Sequence, residues 1–458
     1  MGDPAFFKNQ EQLLSHGDIP LRRDALAIIE AGIASVIPYQ ATKELIRLEG
    51  ADIFVGGNRY TKVRNIYVVG VGKGAFPIRG AVVEGLGERI RQGVVVVKEG
   101  EKRRLPHIEV FESSHPYPDE RSVTGANKIH KILQEAGEGD LIFAAVTGGS
   151  SALVNLPAGG ITIQELQAVH QMLLACGATI GKINTVRKHL CRLKGGQMVA
   201  YGQPAMVITL TLDTAQPDMP WPDLSLPDPT TFQDAIDVLH TYKLWDKAPA
   251  SVRNYLLEGL EHPQWETVKS FAGMRQALYG VVNLQTACEA AAKRARQLGY
   301  TPYILASVLE GEAKDLGIIL AGITNEIHRF GRPFQPPCVL ISGGETTVTL
   351  GEAPGAGGPN QETALGYAAK LQAKEGVVFA SIDTDGTDGP CAIAGGIVDT
   401  QTKARLEGEQ IDLLSTLVHH NSSAALTALG DALLTGHTGT NMMNLRVAII
   451  GKKEGASI

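Results

Sequence analysis

Short runs of apolar, largely β-branched residues recur along the chain, and between them lie longer stretches whose apolar residues repeat at helical spacing. The runs occupy residues 65–70, 93–98, 140–146, 205–212, 302–306, 338–342 and 377–382. Because these runs are apolar at almost every position, they predict strands buried on both faces, as in a parallel sheet. Amphipathic stretches such as 122–134 and 162–177 predict crossover helices. The alternation predicts an α/β fold.

The length of the chain and a change in its amino-acid composition predict two domains. At 458 residues, the chain exceeds the roughly 250–300 residues at which a single hydrophobic core stops growing. A polar stretch at 249–273 precedes a new amphipathic helix, predicted at 285–298, and a new set of strands. We therefore predict an N-terminal domain over 1–280 and a C-terminal domain over 281–458. The proline-rich segment 213–229 predicts an irregular loop.

Composition and charge narrow the classes of function. The hydrophobic fraction is 44% and the charged fraction 20%, as in soluble globular proteins. The net charge is −6 without a basic stripe, which argues against a nucleic-acid partner. Five widely spaced cysteines without a CxxC pair favour reduced thiols over disulfides or a zinc site. We found neither a signal-peptide core nor a run of ~18 uninterrupted apolar residues, and therefore expect a cytoplasmic protein with no membrane partner.

Two glycine-rich turns follow predicted strands of the first domain. The first is GVGKGA (70–75) and the second is TGGSSALV (147–154). Such turns at the carboxyl ends of parallel strands can hold an anion with backbone N–H groups, and a lysine in the first turn adds positive charge. The candidate anion-binding residues are Gly72, Lys73, Gly74, Gly148, Gly149, Ser150 and Ser151. Neither turn completes a dinucleotide or phosphate-loop consensus, so a plain turn with a solvated lysine stays open for the first.

A basic segment, KINTVRKHLCRLKGG (182–196), stands out in a chain that is acidic overall. It predicts a short helix that ends at a Gly-Gly pair. Arg187 and Lys188 are candidates to bind a carboxylate or phosphoryl group, because a guanidinium pairs with two oxygens at once. The alternative is a solvated basic face.

Acidic and small residues mark the turns of the second domain. Asp383, Asp385 and Asp388 crowd the carboxyl end of a predicted strand, and such oxygen ligands suit a magnesium ion that carries nucleotide phosphates. An ordinary Asp-Gly turn is the alternative. Glu345 is predicted at the turn of LISGGETTVTL (340–350), where a lone glutamate is usually just solvated. The loop TGHTGTN (435–441) contains small residues that allow a backbone to approach a ligand closely.

The order of these motifs resembles that of the glycerate 2-kinases that end in a MOFRL domain, over nearly the whole chain. The matching stretches are GVGKGA, SSHPYPDERS, TGGSSALVNLPAGGIT, LLACGATIGKINTVRKHLCRLKGG, PDPTTF, LEGEA, LISGGETTVTL, GGPNQE, DGTDGP and TGHTGTN. The resemblance implies transfer of the ATP γ-phosphoryl group to the 2-hydroxyl of D-glycerate, with Mg²⁺. It also implies a Rossmann-like N-terminal domain with a mainly parallel sheet, a smaller α/β C-terminal domain, and ligands in the cleft between them.

The resemblance also assigns roles to individual residues. Lys73 would meet the transferring phosphoryl group, Asp213 would lie near substrate or metal, and Arg187 would hold a carboxylate or phosphate. Asp385 and Asp388 would lie at the metal. Further substrate or phosphate contacts are expected from Asn184, Lys188, Lys194, Glu345, Asn360, Gln361, Thr440 and Asn441, besides the two glycine turns. The expected partners are a small hydroxy acid and a nucleotide, and a homodimer is left open.

The chain departs from the family pattern at the motifs themselves. Ser150 replaces a glycine, Leu212 a serine and Pro359 an arginine, while Cys391 and Ala392 replace Thr and Asp. A diverged member that keeps an anion site without phosphoryl transfer is therefore an alternative. Hydroxypyruvate reduction is a third reading, which the incomplete fingerprint at 70–75 disfavours.

Overall fold

A computed structural model of the protein describes residues 6–72, 75–100, 104–115, 117–213, 224–350 and 354–452. The chain forms two compact units. Unit 1 comprises Met1–Ile37 and Asn283–Ile458, and unit 2 comprises Pro38–Val282.

The helices and strands alternate along much of the chain. The helices are α1 (Gln10–Leu13), α2 (Ile19–Ala34), α3 (Pro38–Leu45), α4 (Ala75–Leu86), α5 (Glu120–Glu135), α6 (Ser150–Leu153), α7 (Ile163–Ala175), α8 (Ile180–His189), α9 (Gln197–Tyr201), α10 (Phe232–Thr241), α11 (Ala250–Glu261), α12 (Leu284–Gln297), α13 (Ala313–Phe330), α14 (Pro359–Lys370), α15 (Thr402–Gly408), α16 (Leu413–Val418) and α17 (Ser422–Leu429). Short 3₁₀ turns occupy Gly87–Arg89, Trp245–Lys247 and Pro263–Trp265.

The strands form three sheets. They are β1 (Ile46–Glu49), β2 (Asp52–Val55), β3 (Asn58–Tyr60), β4 (Ile66–Val71), β5 (Ile90–Lys98), β6 (Ile108–Ser113), β7 (Leu141–Val146), β8 (Met206–Asp213), β9 (Gln276–Asn283), β10 (Thr301–Glu312), β11 (Cys338–Thr347), β12 (Val377–Asp383), β13 (Gly395–Asp399), β14 (Ala432–Leu433) and β15 (Asn444–Ile450). β1, β2 and β3 form a small antiparallel sheet in unit 2.

The main sheet of unit 2 is the parallel sheet that the apolar runs predict. Its strand order is β6-β5-β4-β7-β8-β9, and β4, β5, β6, β7 and β8 pair in parallel. β4 and β7 lie near the centre and are buried at every position. Helices cover both faces of these strands, so apolar and polar residues do not alternate along them.

The sheet of unit 1 is mixed, in the order β10-β11-β15-β12-β13-β14. β11 pairs in parallel with β10 but antiparallel with β15, and β12 pairs antiparallel with both of its neighbours. The prediction that the run at 377–382 pairs in parallel is therefore wrong. An apolar run reports burial of both faces, and separate hydrophobic clusters cover the two faces of this sheet, whatever the strand direction.

The N-terminal segment packs within unit 1, so the compact units differ from the predicted ranges 1–280 and 281–458. The apolar face of α2, with Ile28, Ile29 and Ile33 fully buried, joins the core formed by α12 and β15. Its Arg22 pairs with Asp399 at 2.6 Å and with Asp431 at 2.7 Å. Long-range packing of this kind leaves no local mark at a domain boundary.

One helical stretch in the described part of the chain, Ile19–Leu45, has the length and apolar composition to cross a membrane. Half of its most apolar window is buried inside the protein. The core packing of α2 accounts for that apolar character.

Candidate active site

The two predicted glycine turns of unit 2 lie in contact. β4 and β7 are parallel neighbours with Val71 opposite Val146, so the turns that follow them start at the same edge of the sheet. The Thr147 N–H donates to the Val71 carbonyl at 2.9 Å. Gly72 has a φ of +116°, and a Cβ there would collide with the Thr147 carbonyl. Glycine at position 72 therefore allows the close approach of the two turns.

The second turn leads into a helix of a single turn. Gly149 adopts a left-handed φ of 87° immediately before α6. Ser150 is buried and Ser151 is partly exposed, while Gly148 precedes them in the turn. Asn155 donates to the carbonyl oxygens of Ser151 at 3.1 Å and Ala152 at 2.9 Å, which fixes the end of this segment.

Lys73 and Asp213, two of the predicted catalytic residues, have no described side chain. Lys73 and Gly74 lie outside the described residues. Asp213 is the last residue of β8, two positions beyond Thr211, which pairs with Val146 of β7. The backbone of Asp213 thus reaches the edge of the sheet from which the glycine turns start.

The basic helix α8 is buried from Ile183 to His189, so the alternative of a solvated face is wrong for Arg187 and Lys188. Asn184, Arg187, Lys188 and His189 are all buried, and Lys194 beyond the helix is fully buried. A solvated face would leave the charged groups in water, whereas here the surrounding helices cover them. The cost of burying these charges is met by specific partners.

Lys188 and Lys194 hold protein groups. Lys188 Nζ lies 2.8 Å from Asp228 Oδ1, and both side chains are buried. Lys194 Nζ donates to the Val154 carbonyl at 2.8 Å and to Asn155 Oδ1 at 3.0 Å. Its remaining neighbour, Cys191 Sγ at 3.7 Å, is also uncharged. Lys194 thus anchors the segment that follows the serine turn, with no carboxylate among these three partners.

A buried histidine, which the sequence analysis missed, lies beside these cations. Burial, followed by the positive charges of Arg187 and Lys194, holds the pKa of His170 well below its ordinary value. On α8, Asn184 stands three residues before Arg187, and its Oδ1 lacks a hydrogen-bond partner in the described part of the protein. We call His170, Asn184, Arg187 and Lys194 the cationic cluster. His170 sits at helical spacing in an amphipathic stretch, where a core residue and a functional residue leave the same pattern.

In unit 1, Asp383 comes close enough to three other carboxylates, those of Asp385, Glu345 and Asp388, to interact with them electrostatically. Burial raises the pKa of Asp383 well above its ordinary value, and the charges of Asp385 and Glu345 raise it further. Asp385 Oδ1 accepts hydrogen bonds from the backbone N–H of Thr387 at 2.8 Å and from its hydroxyl at 2.7 Å. We call Glu345, Asp383 and Asp385 the acidic cluster. Within the described residues, no group of three metal-ligating side chains is arranged to hold a metal ion.

Glu345 lies within a strand and not at a turn. β11 continues from Cys338 to Thr347, and Gly344, at a φ of +137°, is the irregular position. Gly344 remains paired with Leu309 of β10, and Glu345 with Glu310. β11 therefore continues through the Gly-Gly pair at which a turn was predicted.

Asp388 holds the beginning of α14. Its Oδ1 accepts from the backbone and side-chain nitrogens of Asn360 at 3.0 and 3.1 Å. Its Oδ2 accepts from the backbone and side-chain nitrogens of Gln361 at 2.9 and 3.1 Å. These four bonds engage both carboxylate oxygens, so they give no support to the predicted role of Asp388 as a metal ligand.

Asn360 and Gln361 are fully buried and bonded to the protein through their side chains. Asn360 Oδ1 accepts from the Ser381 hydroxyl at 2.6 Å, and Gln361 Oε1 accepts from the Ser423 hydroxyl at 2.6 Å. The predicted substrate contacts of these two residues therefore gain no support from the geometry. Pro359 occupies the first position of α14, where its fixed φ suits a helix start.

The small-residue loop at 435–441 has a structural contact of its own. The Thr440 hydroxyl donates to the Val36 carbonyl at 2.6 Å, within unit 1, and is buried. Asn441 is partly exposed. Thr440 thus ties the end of the N-terminal segment to this loop.

Arg446 is a second residue that the sequence analysis missed. It is buried in β15, and its Nη2 donates to Thr346 Oγ1 at 2.9 Å and to Asn444 Oδ1 at 2.8 Å. Burial lowers the pKa of Arg446 to about 10, although the charges of Glu345 and other nearby carboxylates act in the opposite direction. A lone arginine inside the apolar run NLRVAII was the available signal.

Comparison with known proteins places the chain in a family. Two family models match it, a domain of unknown function termed DUF4147 over residues 24–257 and the MOFRL family over residues 338–444. A Pyrococcus horikoshii protein named glycerate 2-kinase is 39% identical over 438 residues, which covers 95% of this chain and 98% of that protein. The chain belongs to the glycerate 2-kinase family.

Other members of the glycerate 2-kinase family extend the comparison to a solved structure. The crystal structure of a glycerate kinase from Thermotoga maritima matches with a TM-score of 0.80 at 33% identity, over 94% of this chain and 99% of that one. An Agrobacterium vitis protein, provisionally named a hydroxypyruvate reductase, is 36% identical over 96% of each chain. The predicted family and fold class are confirmed.

Proposed function

We propose that this member of the family is a glycerate 2-kinase, which transfers the γ-phosphoryl group of ATP to the 2-hydroxyl of D-glycerate. One observation carries the proposal: unit 2 buries positive charge beside two contacting glycine turns. Lys194 is fully buried with uncharged partners, so its charge is available to attract an anion. The carboxylate of glycerate and the phosphates of ATP are anions of the kind that such a place favours. The names of the relatives support the same reaction.

The cationic cluster supplies the contacts that a glycerate molecule needs. Arg187 pairs with the carboxylate, and Asn184, three residues earlier on α8, contributes a buried acceptor for a hydroxyl. His170, kept neutral by its surroundings, adds no charge to compete with the substrate. Phosphoryl transfer depends mainly on positioning and on neutralising the oxygens of the phosphoryl group, which these groups perform.

The glycine turns hold the phosphate side of the reaction. Backbone N–H groups of the second turn, at Gly148 and Gly149, face phosphate oxygens, and Lys73 brings a full charge to the transferring group. The Gly72 N–H instead donates to the Val96 carbonyl at 3.4 Å. Asp213, at the end of the neighbouring strand, would lie near the substrate or the metal. These assignments for Lys73 and Asp213 rest on the family motif.

Mg²⁺ and ATP are the proposed cofactors. Mg²⁺ is usually held by one or two carboxylates together with substrate phosphates and water. Burial is the main cause of the raised pKa of Asp383, and the negative charges of Asp385 and Glu345 add to it, a repulsion that a cation would relieve. The acidic cluster therefore fits the ion, with Asp385 and Asp383 as its carboxylates, whereas Asp388 is committed to α14. The bound ion would neutralise charge on the phosphates.

A coupled assay of ADP release with D-glycerate and Mg-ATP tests the proposal, and ³¹P NMR identifies the phosphorylated oxygen. We expect 2-phosphoglycerate as the product. The Lys73→Ala variant should lose turnover, and Arg187→Ala should raise the KM for glycerate by about ten-fold or more, since a charge-assisted pair contributes about 1.5–3 kcal/mol. Glu109→Ala, at an exposed ion pair of unit 2, is the control and should leave both constants unchanged.

Two other experimental results would replace the proposal. Binding of D-glycerate without ADP release would identify a diverged member, in line with the arginine that Pro359 replaces and the carboxylate that Ala392 replaces. Oxidation of NADH with hydroxypyruvate would identify a reductase. We expect neither.

We further propose a homodimer and a cytoplasmic location. β10 is an edge strand of the unit 1 sheet, and its Ile304 and Val308 are 42% and 44% exposed. In an antiparallel pair of two copies centred on Ala306, Ile304 of one copy faces Val308 of the other. A Val308→Lys variant should be monomeric by light scattering where the parent chain is dimeric, and a monomeric parent chain would refute the assembly.

Free thiols at all five cysteines support the proposed cytoplasmic location.

A further inference from the structure

A cavity of about 340 Å³ opens within unit 2. Its walls come from the loop at Ala158 and Gly159, the end of α8, α9, and the segment that contains Gln264 and Trp265. A volume of this size accommodates a small organic molecule. Of the residues predicted above to contact the phosphoryl group or Mg²⁺, the described lining includes only Lys188, whose ammonium is paired with Asp228.

Three basic residues line this cavity. Lys188, His189 and Arg192 line it, and none of its lining residues is a carboxylate. Lys188 is paired with Asp228, and His189 Nε2 lies 3.2 Å from Glu266 Oε2. Arg192 is exposed and has no ion-pair partner in the part of the chain that the structure describes. An anionic ligand is therefore attracted chiefly to Arg192.

One wall of the cavity is aromatic. The rings of Tyr255 and Trp265 stack with centroids 5.6 Å apart and an interplanar angle of 9°. Tyr255 packs directly on Gly159, where a Cβ would collide with its ring. Trp265 also contacts the His262 imidazole, with ring centroids 4.5 Å apart and an interplanar angle of 31°. It remains 39% exposed, so another planar group can reach only the exposed part of its indole ring.

We propose that this cavity binds a small planar anion, an aromatic ring that bears a carboxylate or phosphate group. The ring stacks on Trp265 and the anionic group pairs with the guanidinium of Arg192. The amide of Gln197 and the hydroxyl of Tyr201, which also line the cavity, supply hydrogen bonds for orientation. Binding at this site is separate from the kinase reaction. Of the residues predicted for that reaction, only Lys188 is part of the described cavity wall, and its ammonium is paired with Asp228.

Isothermal titration calorimetry of the full chain tests the proposal with probes that separate ring from charge. Benzoate and AMP carry both features, benzamide and adenosine lack the charge, and acetate and inorganic phosphate lack the ring. We expect binding of benzoate or AMP that is about ten-fold or more tighter than that of the matching neutral and ring-free probes. The preferred probe identifies the anionic group as carboxylate or phosphate.

Variants locate the binding and separate it from the proposed active site. Arg192→Gln and Trp265→Leu should each weaken binding about ten-fold or more, while Arg192→Lys and Trp265→Phe should retain part of it. Arg187→Ala should bind the probe like the parent chain. Equal binding of acetate and benzoate, unchanged binding by Arg192→Gln, loss of binding in Arg187→Ala, or no binding of any probe would each overturn the proposal. Failure of kinase activity would leave all of these measurements valid.

Discussion

Removing the Asp228 carboxylate tests how the protein tolerates a buried basic helix. Asp228 is fully buried, and its Oδ1 lies 2.8 Å from Lys188 Nζ. The same oxygen accepts from the Thr230 backbone at 3.0 Å and hydroxyl at 2.6 Å, and Oδ2 accepts from the Thr267 hydroxyl at 3.0 Å. An Asp228→Ala variant therefore leaves the Lys188 ammonium buried without its counter-ion.

The expected loss is large. Breaking a buried ion pair by removing one partner costs about 3–5 kcal/mol, since the remaining charge is uncompensated. A second change, Lys188→Met, should restore about 1–4 kcal/mol, because a well-packed apolar pair avoids the cost of desolvation. As a matched control, Glu109→Ala removes an exposed pair with Lys128 at 2.9 Å and should cost under about 1 kcal/mol.

The pH dependence of the Asp228 contribution has a definite sign. Burial acts to raise the pKa of Asp228, but the Lys188 ammonium and the Thr230 donors outweigh it and hold the pKa below its ordinary value. The unfolded carboxyl therefore takes up its proton at a higher pH than the folded one. The stabilisation is complete above about pH 4 and is lost as the pH falls through the lowered pKa.

Hydrogen exchange measured by mass spectrometry, together with urea unfolding, reports the free energy of opening of unit 2. In Asp228→Ala, the amides of α8 and of the loop around Asp228 should exchange faster. Two results would refute the reasoning. One is a loss in the free energy of unfolding below about 1 kcal/mol for Asp228→Ala. The other is a loss in the double variant that exceeds the sum of the losses in the two single variants.

Three further predictions concern other buried contacts. Because the pKa of His170 is lowered, the unfolded chain binds a proton that the folded chain does not, so the free energy of unfolding should fall by up to about 1.4 kcal/mol per pH unit below about pH 6.5. Urea titrations at pH 7 and 5.5 should show a flatter dependence for His170→Gln, and an unchanged slope would contradict this. Gly72→Ala should lower the thermal stability by more than Gly57→Ala, since both have positive φ but only position 72 meets a collision. Thr440→Val leaves the Val36 carbonyl without its donor and should cost about 1–3 kcal/mol in urea unfolding, while Thr440→Ser should cost less.

Several features of the candidate site could be predicted because they are local. A glycine turn after an apolar strand has a recognisable pattern, and the parallel pairing of β4 with β7 then brings Gly72 and Thr147 together. The acidic residues at the end of β12 follow the same logic, since Asp383 ends the strand and Asp385 lies in the turn. The family resemblance rested on the order of such local motifs and is confirmed.

Other features depend on residues far apart in the chain, and no local pattern reports them. Asn360 and Gln361 look like ligand-binding residues in the motif, yet they bond to Asp388, which lies 28 and 27 positions further on. Arg446 and His170 were missed because each lies in an apolar segment, where the sequence pattern of a functional residue is the same as that of a core residue.

The sequence by itself determined the α/β class, the places where strands end in glycine or acidic turns, and the family. Those properties depend on the repeat of apolar residues and on backbone freedom over a few positions. Only the tertiary structure decided that residues 183–189 of the basic helix α8 are buried, that Asp388 holds α14, and that residues 6–37 pack with unit 1. The reason is physical: burial and pairing of a charge depend on which distant segments cover it, and an ammonium that is solvated in one fold is paired with a carboxylate in another.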